Sequence, residues 1–198
     1  MRTAANPPGL SGASWISGFC FAGLAALFMT VIMLGAFLAK DYDFAGGAIS
    51  DLGVLSGTAL LFNASLVAVG ILNIAGGYLL RPASRLVVGV ASLAGLGAIG
   101  AGLFPLDRGD VHSLFALAAF TGFNLQSAVL AQRSKGVLRW IGWTLAALGL
   151  AYVAVMIVGD SGSPAAFGPI GHGGAERMIV YPPMIWLMIF GGSLLTDR

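Results

Sequence analysis

Six apolar runs, each long enough to cross a lipid bilayer, constrain this chain more than any other feature: residues 15–39, 58–80, 86–104, 112–131, 140–159 and 177–195. A helix needs about 20 predominantly apolar residues to span the hydrocarbon core, whereas a strand needs only about 9–11. Backbone groups in lipid must be satisfied within the protein, so runs of this length are read as helices. Of the 198 residues, 58% are hydrophobic and only 9% are charged, and the mean hydropathy is +0.91. That is more apolar surface than a soluble domain of this size can bury. The expected fold is all-α, a polytopic six-transmembrane-helix bundle formed by residues 15–198 after an N-terminal tail, residues 1–14, that holds Arg2 and Pro7-Pro8.

The runs differ in ways that predict how they pack. The first, Trp15 to Ala39, exceeds the roughly 7–15 residues of a signal-peptide core and lacks a small-x-small cleavage site before Lys40, so it is read as a retained helix. In the second, Asn63, Gly70, Asn73 and Gly77 fall within about 80° of one another on a helical wheel, a face that should look at other helices. The third carries Ala91, Gly95, Ala98 and Gly102, small residues that let helix backbones approach. Thr121, Asn124, Gln126 and Ser127 interrupt the fourth and are too polar to face lipid without cost. Trp140 and Trp143 of the fifth suit an interfacial belt. In the sixth, Pro182-Pro183 should bend the helix or leave its first turn irregular, because both lack an N–H.

Charge assigns the two ends. Arg81 and Arg85 follow the second run, Arg133, Lys135 and Arg139 follow the fourth, and Arg2 and Arg198 mark the termini. With six spans these fall on one side, which the positive-inside rule makes cytoplasmic, with both termini. Asp41, Asp43, Asp51, Asp107, Asp110, Asp160, Glu176 and both histidines, His112 and His172, then fall outside, and Asp197 inside. The expected location is the cell membrane. The net charge of +2 and the dispersed basic residues give no nucleic-acid footprint. A single cysteine, Cys20, excludes a disulfide or a cysteine-based metal site within the chain.

Three outer segments hold the candidate chemistry. In Ala48-Ile-Ser-Asp-Leu-Gly53, Ser50 or Asp51 is placed to cap a short helix, or Asp51 to act as a proton acceptor or cation ligand in an outer cavity. In Phe104 to Ser113, Asp107 or Asp110 is placed to cap the fourth helix, with His112 a satisfied interfacial side chain. Alternatively, a neutral His112 and one or two carboxylates bind a divalent ion and activate water, with His172 the natural second histidine. No His-Glu-x-x-His pattern is present, so such a site must be assembled from separate loops. Asp160 to Glu176, rich in Gly and Pro, reads as a long structureless loop, either a lid or a connector. There Glu176 and Arg177 are expected to pair with other groups, or Glu176 to move protons. Ser161 and Ser163 lack a nucleophile-elbow context.

The motifs Ile49-Ser-Asp-Leu-Gly53, Asn63, Phe104-Pro-Leu-Asp107, His112 to Phe120, Gly174-Ala-Glu-Arg177, Tyr181-Pro182 and Trp186 together resemble a six-helix integral-membrane family of archaea and bacteria, a numbered domain of unknown function. The similarity covers most of the chain. The early Ser-Asp and the His that opens an apolar helix are also distantly similar to the Frag1/DRAM/Sfk1 membrane proteins. The family resemblance implies a six-helix bundle with a shared outer site at Ser50, Asp51, Asn63, Asp107, His112, Glu176 and Arg177. Asp110 and His172 fall outside that pattern.

Two classes of function follow. In the first, a noncatalytic membrane component binds a lipid, a small solute or a partner protein through a polar outer cavity. In the second, a metal-dependent hydrolase acts on a lipid or amide at the outer interface, with His112, His172 and Asp107 or Asp51 as ligands and Glu176 as the proton carrier. A transporter is disfavoured by the lack of paired broken helices in the two halves. The many small residues serve contacts within one chain or between copies of a homo-oligomer.

Overall fold

A computed structural model describes residues 14–40, 42–82 and 84–196. Arg2, Pro7-Pro8, Asp41, Asp197 and Arg198, used above for the tail and the charge balance, lie outside the described residues. Six helices account for most of the described residues: α1 (Ser14–Leu38), α2 (Ala59–Leu79), α3 (Arg85–Leu103), α4 (Asp110–Arg133), α5 (Gly136–Asp160) and α6 (Gly171–Thr196). All six are long and apolar enough to cross a membrane. The chain is thus an all-helical bundle of a multi-pass membrane protein. Large side chains such as Phe37 and Leu60 are 83% and 85% exposed. In water such an outward face would be a liability; in lipid it is the expected surface.

Each helix packs against its neighbours in sequence, and α6 closes the ring on α1, while α4 also meets α6 across the interior. A close backbone approach explains small residues of α2 and α3. A Cβ on Gly70 would strike the Gly95 carbonyl, and one on Gly95 would strike the Gly70 carbonyl. Behind this crossing, Asn73 and Gln126 form a reciprocal amide pair, with N–H···O distances of 2.8 and 2.9 Å, and Asn73 also donates to the Ala91 carbonyl at 3.0 Å. Both side chains are completely buried. The pair therefore ties α2, α3 and α4 together where an unpaired amide would be costly. Asn124 and Ser127 face the interior as well, while Thr121 is half-buried.

Three connections, residues 39–58, 104–109 and 161–170, lie at one end of the bundle, and the two short ones, 80–84 and 134–135, at the other. The first end holds Asp43, Asp51, Asp107, Asp110, Asp160 and Glu176, with Lys40, Arg108 and Arg177; the second holds Arg81, Arg85, Arg133, Lys135 and Arg139. We call them the acidic and basic ends.

Several local expectations are corrected. The segment from Asp160 to Glu176 is ordered: a 3₁₀ stretch, Pro164–Ile170, leads directly into α6 at Gly171. Pro164 starts that stretch, and Gly168 and Gly171 take positive φ values of 58° and 67° to turn the chain. Because α6 begins six residues before the apolar run, Glu176 and Arg177 lie within a helix, and Pro182-Pro183 lie in its middle instead of its first turn. Neither Ser50 nor Asp51 caps the short 3₁₀ helix Ile49–Gly53, whose N-cap is Ala48. Asp107 and Asp110 do not cap α4 either. Gly109, at φ 57°, occupies the N-cap without a side chain, and Asp110 is the first helical residue.

Candidate functional site

The acidic end is built where the 42–53 loop lies over the start of α6. Gly173 donates its N–H to the Ala45 carbonyl at 3.1 Å, and a Cβ on Gly173 would collide with the Gly47 carbonyl. Only a glycine lets the loop come this close. Arg177, one turn further on, donates to the Gly173 carbonyl at 2.7 Å and to the Tyr42 phenol oxygen at 2.6 Å. Its guanidinium also stacks 3.8 Å from the centre of the Phe44 ring. Tyr42 passes the contact on, donating its hydroxyl hydrogen to the Ala48 carbonyl at 2.9 Å. Burial pushes the Tyr42 phenol above its ordinary value; Arg177 opposes the rise, and the charges of Glu176 and Asp51 add to it.

Glu176 faces the other way. Its Oε2 accepts from the backbone N–H of Ile49, so the carboxylate satisfies the first N–H of the 3₁₀ helix that Ser50 and Asp51 were expected to cap. Its second oxygen has no protein partner among the described residues. Glu176 and Arg177 are each 5% exposed, and neither makes an ion pair among the described residues.

A cavity of about 650 Å³ opens at the acidic end between the 42–53 loop, α4, α5 and α6, and Ser50, Asp51, His112, Asp160, His172 and Glu176 supply its polar wall. Beneath it, a smaller apolar chamber of about 50 Å³ runs into the bundle between such side chains as Phe62, Val69, Phe123 and Met184. Ser50, His112 and Glu176 line both spaces and form a polar collar between them. His112 is 4% exposed, and its Nδ1 lies 2.8 Å from the Phe104 carbonyl. A carbonyl only accepts, so Nδ1 carries the hydrogen, and in the neutral ring Nε2 is left as an acceptor with no protein partner among the described residues. At the rim, His172 Nε2 stands 3.3 Å from Asp160 Oδ1, linking α6 to α5.

Of the residues singled out in the sequence, Ser50, Asp51, His112, His172 and Glu176 thus converge on one cavity. The others do not. Asn63 donates to the Gly53 carbonyl at 2.8 Å and braces the loop from below. Asp107 is exposed beside Arg108, 3.9 Å away, and Arg177 turns to Tyr42. Among the described residues no three His, Cys, Asp or Glu side chains stand together closely enough to hold a metal ion. The set proposed from His112, His172, Asp107 and Asp51 is not assembled, because Asp107 is outside the cavity wall and His172 is engaged with Asp160. Tyr42 was not anticipated. Its only signal was an aromatic hydroxyl in a polar loop, whereas its partner lies 135 residues away.

A helical membrane bundle with a polar-walled cavity at its acidic end is the class of protein that the fold and site define. Within that class, residues 21–193 match the family described as protein of unknown function (DUF998), and the chain belongs to that family. No curated protein and no solved structure matches it.

Proposed function

We propose that this protein binds a lipid or small amphipathic molecule through the cavity at its acidic end, which faces away from the cytoplasm in the cell membrane. One observation carries the proposal: a cavity of about 650 Å³ narrows at the Ser50, His112 and Glu176 collar onto an apolar chamber of about 50 Å³. Ligand sites commonly measure about 300–1,000 Å³ and combine apolar walls with a few placed polar groups. This gradient suits a molecule with a polar head and an apolar body. The basic residues at the opposite end support the orientation.

Native mass spectrometry of the purified protein beside Ala116→Trp tests the proposal. Ala116 lines both spaces, and an indole there fills the passage between them. Wild type is expected to retain a co-purifying or added amphipathic molecule that the variant loses. Equal retention by a folded variant overturns the proposal.

A further inference from the structure

The cavity wall has a chemical bias that narrows what it accepts. Asp51, Asp160 and Glu176 bring carboxylates to it from the 42–53 loop, α5 and α6, and His112 and His172 are its other titratable groups. Among the described residues no lysine or arginine lines it. Arg177, the nearest cation in sequence to Glu176, is held away by Gly173, Tyr42 and Phe44. Asp160 is engaged at the rim by His172, but Asp51 makes no ion pair among the described residues.

The free valences of the two titratable groups at the collar are of one kind. Glu176 has one oxygen committed to Ile49 and one free, and because Phe104 fixes a hydrogen on Nδ1 of His112, the lone pair of its neutral form lies at Nε2. Both residues are more than nine-tenths buried, and each lines both the outer cavity and the apolar chamber. Asp51 adds a carboxylate and Ser50 a hydroxyl, which also accepts.

We infer that the cavity selects a primary ammonium group carried on an apolar chain or ring, the free acceptors of Glu176 and His112 at the collar receiving its N–H donors and Asp51 on the outer wall adding its charge. This rests on the binding role proposed above. An ammonium presents three donors to a wall of acceptors, and its charge offsets the carboxylates. A quaternary ammonium has the charge but no N–H, and leaves the buried acceptors unbonded. A carboxylate ligand meets like charge. The apolar body extends past the collar toward the apolar chamber, along Phe120 and Ile179, which line both spaces. The same chemistry is available from a free amphipathic amine or from the headgroup of an ethanolamine phospholipid.

The test uses the full chain in phosphatidylcholine nanodiscs, titrated with hexylamine, hexyltrimethylammonium, hexanoate and hexanol, with binding to empty discs subtracted. Hexylamine is expected to bind about ten- to a hundredfold more tightly than hexyltrimethylammonium, the loss anticipated for hydrogen bonds to charged groups. Asp51→Asn and Glu176→Gln should each remove most of that preference, read as the ratio of hexylamine to hexyltrimethylammonium affinity within each variant. The Gln side chain retains an acceptor for the Ile49 N–H, and Asp51 makes no side-chain hydrogen bond whose loss would unfold the loop. Replacing part of the phosphatidylcholine with phosphatidylethanolamine should weaken hexylamine binding if the lipid headgroup occupies the site, and leave it unchanged if the ligand is a free amine. Equal affinity for the two cations, or tighter binding of hexanoate, overturns the ammonium site while leaving the cavity a binding site. No binding of any probe, in wild type and Ala116→Trp alike, overturns both.

Discussion

The side-chain amide of Asn124 on α4 donates to the Ile179 carbonyl on α6 at 3.1 Å, and Ile179 is the residue whose carbonyl would otherwise receive the N–H of position 183. Proline at 183 has no N–H to give. Asn124 therefore supplies from a neighbouring helix the donor that Pro183 withholds, and α6 runs on as a helix through Pro182-Pro183. The same amide also donates to Phe120 on its own helix at 2.8 Å. Asn124→Leu is expected to destabilise the bundle by about 1–3 kcal/mol, the cost of stranding a buried carbonyl. In a Pro183→Ala background, where the backbone N–H returns, the same change should cost measurably less. A double-mutant cycle of unfolding in mixed micelles checks this; additivity of the two changes would show that the amide does not stand in for the missing donor.

Asn73 and Gln126 make a second prediction with the opposite logic. Each satisfies the other, so removing one strands its partner in the core. Asn73→Leu and Gln126→Leu are each expected to cost about 1–2 kcal/mol, and the double variant less than their sum. Unfolding of the three variants under the same conditions measures the coupling.

How much of this was legible in the sequence depended on the range of the interaction. The six spans follow from local apolar length, and the inward faces of α2 and α4 follow from the cost of exposing Asn73, Asn124 or Gln126 to lipid. The start of α6 was missed because Gly171 to Arg177 is polar and glycine-rich, locally a loop. It becomes helical where the 42–53 loop covers it and supplies partners: Ala45 for Gly173 and Tyr42 for Arg177. The cap of the Ile49–Gly53 turn was sought in Ser50 and Asp51 for the same reason, since the actual partner, Glu176, is 127 residues away. Convergence of Ser50, Asp51, His112, His172 and Glu176 was partly foreseeable, because the spans place all their segments at one end. The departure of Asp107 and Arg177 depends on side-chain direction, which spacing alone does not give.

The link from Arg177 through Tyr42 to Ala48 should hold the loop against α6. Arg177→Met is expected to speed amide hydrogen exchange across residues 43–53 while leaving α2 and α3 protected; uniform protection in the variant would show that the loop is held by other contacts. It also has a titration signature. Burial raises the Tyr42 phenol and Arg177 opposes the rise, so the Met variant should push it higher still. Because the raised group favours the neutral phenol in the folded state, its stabilising effect is fully present below the unfolded value, about 10. It is lost as pH rises through the higher folded value. Ultraviolet titration of wild type against Tyr42→Phe isolates this group.

Orientation decides which compartment the cavity samples. Gln132 and Ser163 are both exposed at opposite ends of the bundle, the first near the basic connection after α4 and the second in the connection before α6. Arg133, Lys135 and Arg139 beside Gln132 are the kind of short-loop charges that stay in the cytoplasm. In a background with the buried Cys20 replaced by Ala, a membrane-impermeant maleimide should label Ser163→Cys on intact cells and Gln132→Cys only after the membrane is opened. The charges themselves are the cause under test. If the labelling is reversed, the acidic cavity faces the cytoplasm, and its ligand must be sought there; if it follows the expected order, the carboxylates of Asp51 and Glu176 meet molecules arriving from outside the cytoplasm or from the outer leaflet.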